Sequence, residues 1–318
     1  MSDTKNLVDK ITGNIEKVII GKKDEVKLVL AAFFAGGHVL LEDVPGTGKT
    51  MLARALAKSF DLSFSRIQFT PDLLPSELTG INFYSPKTGE FTFRQGSLFA
   101  NIVLADEVNR ATPRTQSGLL ESMEEHQISV DGTTYPLGQP YFVIATQNPI
   151  ETQGTFPLPE AQLDRFLIQL DLGYPSTAES IQAVKSNVTS TPLTNVAPVC
   201  DSEDLEAITA SISDVFIHDD VYGYIVALAE ATRDHASIQL GVSTRGAISL
   251  AKLSRVYAAI NGREFVTPSD VQFLLPYVFS HRVMLRGGLH GRNSKVQALL
   301  EEIMSSIKAP VENWKGRS

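Results

Sequence analysis

The sequence predicts an α/β domain built on a parallel five-stranded sheet, followed by a smaller all-helical domain, and three observations carry that expectation. Short β-like runs alternate with helical stretches through the first half, as in a parallel sheet flanked by helices. After Leu172 the β-like runs stop and apolar residues recur only at helical spacing. The chain has 318 residues, and an ordinary domain takes roughly 150. Residues 1–172 are therefore expected to form the α/β unit and residues 173–318 the helical one, with Gly173-Tyr174-Pro175 as the boundary.

The β-like runs are His38–Glu42, Phe64–Phe69, Asn101–Asp106, Tyr141–Thr146 and Phe166–Asp171. Between them, Lys49–Phe60 and Arg114–His126 gather apolar residues on one helical face, as Met51, Leu52, Ala55, Leu56 and Phe60 do. Two insertions interrupt the alternation and read as hairpins: Ile81–Tyr84 and Phe91–Phe93 flank Lys87-Thr88-Gly89, and Ile128–Val130 and Thr133–Tyr135 flank Asp131-Gly132. They are candidates for handling a partner; surface decoration or packing between subunits is the other reading. In the second half, helical runs are expected at Asp201–Ser213, Asp219–His235, Ser243–Ile260, Pro268–Phe279 and Asn293–Ile307, and the polar stretch Ser186–Pro198 reads as a loop. Thr267-Pro268 gives the fourth run a cap and a Pro at its first position.

Composition narrows the function. Apolar residues make up 43% and charged residues 20%, as in ordinary globular chains. A formal charge of −8 and a pI near 5.3 argue against nucleic acid, whose phosphates are met by clustered Lys and Arg. The longest apolar-looking segment, Val26 to Leu41, is broken by Lys27, two glycines and His38, so no membrane insertion is expected. The polar opening lacks the apolar region of a secretory signal, which makes a cytoplasmic location the expectation. The single cysteine, Cys200, forms no internal disulfide, and no His or basic residue stands beside it to activate it.

The sharpest signal is Val39-Leu40-Leu41-Glu42-Asp43-Val44-Pro45-Gly46-Thr47-Gly48-Lys49-Thr50, a hydrophobic strand running through a glycine-containing loop into an amphipathic helix. That is the context of a P-loop, in which backbone N–H groups and a helix N-terminus face phosphate oxygens. Gly46, Thr47, Gly48, Lys49, Thr50 and Met51 are expected to contact ATP, with Lys49 on the β- and γ-phosphates and the Thr50 hydroxyl on Mg²⁺. Asp43 departs from the consensus, standing where its first glycine belongs. A second strand, Ile102-Val103-Leu104-Ala105, delivers Asp106 to Mg²⁺, partly through water, and Glu107 to polarise the attacking water. The strand Tyr141–Thr146 ends in Gln147-Asn148-Pro149, and Asn148 is expected to orient that water or touch the γ-phosphate; alone, Asn before Pro is a turn residue.

With these residues in place, the chain resembles the MoxR family of AAA+ ATPases. The matching stretches are LLEDVPGTGKT, VLADEVNRATP, ATQNPIETQGTFPLPEAQLDRF and GVSTRG, within a likeness running from Val18 to about Leu285. The resemblance implies an AAA+ core followed by a helical lid, working as a hexameric ring with each nucleotide at a subunit boundary. It implies that Arg165 is an arginine finger acting in trans, where the residues alone suggest a salt bridge with Asp164 or Glu160. It implies that Arg245 is the sensor of the lid. Ser243 independently reads as an N-cap, which puts the Arg245 cation in a first turn where an anion should compensate it, either phosphate or a carboxylate. Val18-Ile19-Ile20-Gly21 resembles the segment that covers the adenine base.

The function implied is an ATP-driven remodeller or chaperone for protein complexes, with clients often met alongside proteins carrying a von Willebrand factor A domain. A helicase-like motor is the alternative from the nucleic-acid class, disfavoured by the acidic balance and by a second hairpin, ISVDGTTY, without Lys or Arg. A chelatase-like metal-insertion motor and a nucleotide switch that scarcely hydrolyses are the others.

Overall fold

The structure, a computed structural model, describes residues 2–44, 46–148, 154–189, 192–287, 291 and 293–311. Pro45 of the phosphate-loop motif and residues 149–153 of the third family stretch lie outside the described residues. By internal contacts the chain forms two units: Lys10–Phe166 with Leu170–Asp201, and Met1–Asp9 with Leu167–Gln169 and Ser202–Ser318.

Up to residue 201 the elements are α1 (Ser2–Glu16), α2 (Lys23–Phe34), β1 (Val39–Glu42), α3 (Lys49–Ser59), β2 (Phe64–Gln68), α4 (Pro75–Thr79), β3 (Gly80–Ser85), β4 (Glu90–Gln95), β5 (Ile102–Asp106), α5 (Pro113–Glu125), β6 (Gln127–Val130), β7 (Thr133–Pro136), β8 (Phe142–Gln147), α6 (Glu160–Leu163), β9 (Ile168–Leu170) and α7 (Thr177–Thr189). The five expected strands form one sheet in the order β2-β5-β8-β1-β9. The β2–β5, β5–β8 and β1–β8 pairings are parallel. Central β5 is buried along its whole length, so its sequence is a continuous apolar run ending in Asp106. Edge strand β2 buries only Ile67, and its Arg66 and Gln68 are exposed.

Both hairpins form, as β3–β4 and β6–β7. They are fastened to each other: the Phe93 and Tyr135 rings stack with centroids 3.9 Å apart, and Asn82 Nδ2 donates to Asp131 Oδ2 at 2.8 Å. Helices α1 and α2, like α4, α6 and α7, go beyond the sequence reading. Helix α1 buries Val8, Ile11 and Ile15 at helical spacing, and α2 buries Val26 through Phe33 except Lys27.

The other unit contains α8 (Ser202–Asp214), α9 (Asp219–Asp234), β10 (Ile238–Leu240), α10 (Thr244–Ile260), α11 (Pro268–Phe279), β11 (Met284–Leu285) and α12 (Ser294–Ser306). The expected helices are present within a residue or so of their bounds. The expectation of helices alone after Leu172 is corrected by β10 and β11, which pair antiparallel with buried Ile238 opposite Leu285. The start of α11 is a full capping box of Thr267 and Asp270, and Arg263 grips the same carboxylate with both Nη atoms at 2.6 and 2.5 Å.

The polar stretch expected to be a loop from Ser186 contains the end of α7 and a short 3₁₀ turn, Pro192–Asn195. Its contacts lie with the α/β unit: Asn14 Nδ2 donates to the Ala197 carbonyl at 2.8 Å, Lys58 Nζ to that of Leu193 at 3.0 Å, and the Val199 amide to that of Ser59 at 2.9 Å. The second unit consequently resumes at Ser202, later than the change of pattern after Leu172.

Candidate functional site

Parallel pairing puts the ends of β1, β5 and β8 on one edge of the sheet. Glu42 is in register with Gln147, and Ala105 with Ala145, so the loops leaving β1 and β5 are separated by β8 alone. Two inter-strand spacings make that about 10 Å. The edge of such a sheet, outside the carboxyl ends of its strands, is where ligands of open α/β folds bind.

The loop after β1 meets the backbone demands of a phosphate cradle. Gly46 and Gly48 have φ of +88° and +95°, the left-handed region that glycine enters without the Cβ penalty. Gly48 is the N-cap of α3, so the first amides of that helix open toward the loop. Lys49 Nζ donates to the carbonyls of Asp43 at 3.0 Å and Val44 at 3.3 Å, and Thr47 Oγ1 to that of Val44 at 3.4 Å. Thr50 and Met51 lie on the first turn of α3, half-buried.

Asp43 has a structural explanation. It is buried, its φ is not positive, and its amide continues the ladder by donating to the Gln147 carbonyl at 3.2 Å. One carboxylate oxygen accepts from the Val44 amide at 2.8 Å and the other from the Leu172 amide at 3.1 Å. A glycine at this position would leave both donors unmatched, so Asp43 stiffens the entry to the loop from outside.

At the end of β5 the two acids are held differently. Asp106 Oδ1 accepts from Thr146 Oγ1 at 2.7 Å, and Oδ2 from Arg66 Nη2 at 2.7 Å. Glu107 sits in the left-handed region at φ 57° and ψ 50°, a conformation costing an L-residue about 1–2 kcal/mol, and its amide donates to the same Thr146 Oγ1 at 2.9 Å. Thr146 therefore fixes both acids from the neighbouring strand. The Glu107 carboxylate accepts from Gln68 Nε2 at 2.8 Å and pairs with Arg110 Nε at 3.2 Å. Gln68 is in turn bonded to Arg66 Nη2 at 3.0 Å, making β2 the second strand that orients the acids.

Sequence reasoning missed Arg66, Gln68 and Thr146. The available signal was polar residues at alternate positions of one β-like run and a lone hydroxyl ending another. Asn148, one residue beyond β8, is buried at the same edge. Arg165 lies against α5, where Nη1 donates to the Leu120 carbonyl at 2.9 Å and Nη2 meets Glu124 Oε2 at 3.1 Å. The salt bridge expected from the residues alone is thus made by Glu124 of α5. Gly21 turns at φ +76°, and neighbouring Ile19 packs against the loop: its Cδ1 lies 3.2 Å from where a Cβ on Gly48 would stand. In the helical unit, Ser243 caps α10 by accepting from the Gly246 amide at 3.2 Å, which leaves Arg245 exposed in the first turn.

These residues fit MgATP. The glycine conformations and the start of α3 suit phosphate, and the polar donor set at the edge consists of hard oxygens, which magnesium prefers. Among the described residues no group of three or more His, Cys, Asp or Glu stands ready to cage a metal, so the ion would depend on phosphate oxygens and water to complete its shell. Arg66 does not lock Asp106 away, because its side chain is nearly half exposed and can exchange the carboxylate for solvent.

Known proteins resemble the chain along most of its length. Residues 38–168 match the ATPase family associated with various cellular activities (AAA), and residues 230–303 match the AAA lid domain. The chain is 49% identical over 310 residues to the uncharacterized protein YeaC of Bacillus subtilis, covering 98% of this chain and 97% of that one. It is 35% identical over 309 residues to the chaperone MoxR1 of Mycobacterium tuberculosis, covering 94% and 81%. A crystal structure of a candidate ATPase from Cytophaga hutchinsonii superposes with a TM-score of 0.88 at 35% identity, covering 97% and 96%.

Proposed function

This chain belongs to the MoxR family of AAA+ ATPases, and from that premise we propose that it hydrolyses MgATP between copies of itself in a hexameric ring and uses the turnover to remodel protein clients. The observation that carries the reading is the shared sheet edge: the Gly46–Thr50 loop and the Asp106-Glu107 pair emerge on either side of β8, each backed by a buried strand.

The roles rest on the chemistry at each atom. Backbone amides of Gly46, Thr47, Gly48 and Met51 and the Lys49 ammonium bind phosphate oxygens. To take up that role Lys49 exchanges two neutral carbonyls for an anion, a stronger partner. Thr50 and, through water, Asp106 hold Mg²⁺, which when bound offsets the negative charge of the phosphates. Glu107 orients and polarises water, held ready by Thr146, Gln68 and Arg110. Asn148 presents an amide at the same edge. Arg165 acts in trans on a neighbouring copy, with its guanidinium aimed by Glu124 and the Leu120 carbonyl. Arg245 contributes from the lid. Ile19 and Gly21 flank the base.

A protein client is favoured over nucleic acid by the net charge of −8 and by the absence of Lys and Arg from β6–β7. A partner carrying a von Willebrand factor A domain and a cytoplasmic location complete the proposal. Among the described residues no helix is long and apolar enough to cross a membrane. Phosphate release at saturating MgATP tests the reading: wild type should turn over, Lys49→Ala should not bind, and Glu107→Gln should bind without turnover. Normal turnover by both variants would refute the assignment of the site. A DNA-stimulated rate would move the client class to nucleic acid.

A further inference from the structure

We propose that Glu179 selects adenine over 6-oxopurines at the nucleotide site, an inference that rests on the reading of Gly46–Thr50 as the phosphate cradle. Beside that cradle, buried Ile19 lies against Gly48 and offers an apolar surface. Two residues further on, a Cβ on Gly21 would collide with Glu179 Oε1. The carboxylate therefore occupies the place a side chain at residue 21 would fill, and only the glycine admits it.

Glu179 is pinned there. It belongs to the first turn of α7, and its Oε2 accepts from the Ser176 amide at 2.7 Å. These bonds to Ser176 hold its carboxyl below the usual range, so it is an anion near neutral pH. Its Oε1 is turned to the Cβ side of Gly21 and retains lone-pair capacity for a further hydrogen bond. The nearby Lys22 ammonium is directed at the Tyr174 carbonyl, 3.5 Å away, and at Glu25 Oε1, 3.6 Å away. An anchored carboxylate thus stands against Gly21, two residues along the chain from the apolar residue that packs on the cradle.

A carboxylate accepts hydrogen bonds and donates none. Adenine carries an amino donor at C6, whereas guanine and hypoxanthine carry a carbonyl acceptor there, so a 6-oxopurine would set two acceptors against each other. A site built to bond one polar group rejects the analogue that lacks it more strongly than shape alone does.

The test measures binding of MgADP and MgIDP, which differ at position 6, to the full chain, alongside thermal unfolding. Wild type should bind ADP at least about tenfold tighter than IDP. Glu179→Gln keeps an acceptor for the Ser176 amide but adds an amide donor, and should bring the two affinities within about threefold, mainly by tightening IDP. Glu179→Ala removes both the bond to the amino group and the clash with the carbonyl, so it should weaken ADP, relieve IDP and likewise bring the two affinities within about threefold. No preference in wild type, or a preference that survives both substitutions, overturns the proposal. So does equal weakening of both nucleotides with a fall in melting temperature, which would assign Glu179 only to the start of α7. The underlying site fails separately, if wild type binds neither nucleotide or Lys49→Ala binds both normally.

Discussion

The carboxyl edge of the sheet and the paired hairpins belong to one unit, yet they treat their side chains in opposite ways. At the edge, Asp43, Asp106, Thr146 and Asn148 are buried polar groups. The oxygens of Asp43 and Asp106 are matched by specific donors, and Thr146 holds both the Asp106 carboxylate and the Glu107 amide. At the hairpins, Phe91 is 74% and Tyr84 55% exposed, touching each other with ring centroids 5.6 Å apart and leaving most of their surface to solvent. The edge draws its specificity from inside the molecule, so a change there disturbs partners already committed. The hairpin tips hold apolar surface that their own unit does not use, so a change there should leave the fold indifferent.

The largest expected break in that contrast is Lys49→Ala, which should reduce MgATP binding below detection in a calorimetric titration. Arg165→Ala should keep binding and lower turnover by about 10³-fold, the scale of an arginine finger. Mixed with Glu107→Gln subunits it should regain activity where an intact site forms between chains; no rescue at any ratio contradicts the shared site. Among stability effects the largest comes from His38, just before β1, whose ring meets the Met123 carbonyl at 2.9 Å and the Val143 amide at 3.1 Å. Burial pushes its pKa from 6.5 down to about 4. The unfolded chain therefore takes up a proton that the native chain refuses. Stability is full above pH 6.5 and falls as pH drops toward 4, by about 3 kcal/mol from this group. Denaturant unfolding of wild type and His38→Gln across that range should show the slope in the first and its loss in the second.

Thr146→Val removes one hydroxyl from two acids and should cost about 1–3 kcal/mol, with a fall in turnover exceeding any fall in ATP affinity. Smallest of all, Phe91→Ser at the hairpin tip should shift unfolding by no more than about 0.5 kcal/mol. A loss of several kcal/mol there would show that the tip is packed in solution and would erase the contrast.

How far the sequence could be read divides along the same line. The run Ile102-Val103-Leu104-Ala105 is legible because a strand buried on both faces has to be apolar throughout, and its acid then marks the edge. Thr267-Pro268 is legible because a cap is a local device. What escaped depends on register. Nothing local says that Thr146 faces Asp106, that Gln68 reaches Glu107, or that Arg165 pairs with Glu124 rather than Asp164 or Glu160; these partners meet only once strands and helices are side by side. Helix α1 escaped because Val8, Ile11 and Ile15 are spaced among polar residues, and the charged opening masked their common face.

The most direct measurement is a crystal structure of the Glu107→Gln variant with ATP and magnesium. The expected result is a triphosphate cradled by the Gly46–Thr50 amides and Lys49, with magnesium joined to Thr50 and, through water, to Asp106. Nucleotide bound elsewhere, or a metal remote from both Thr50 and Asp106, would contradict the account.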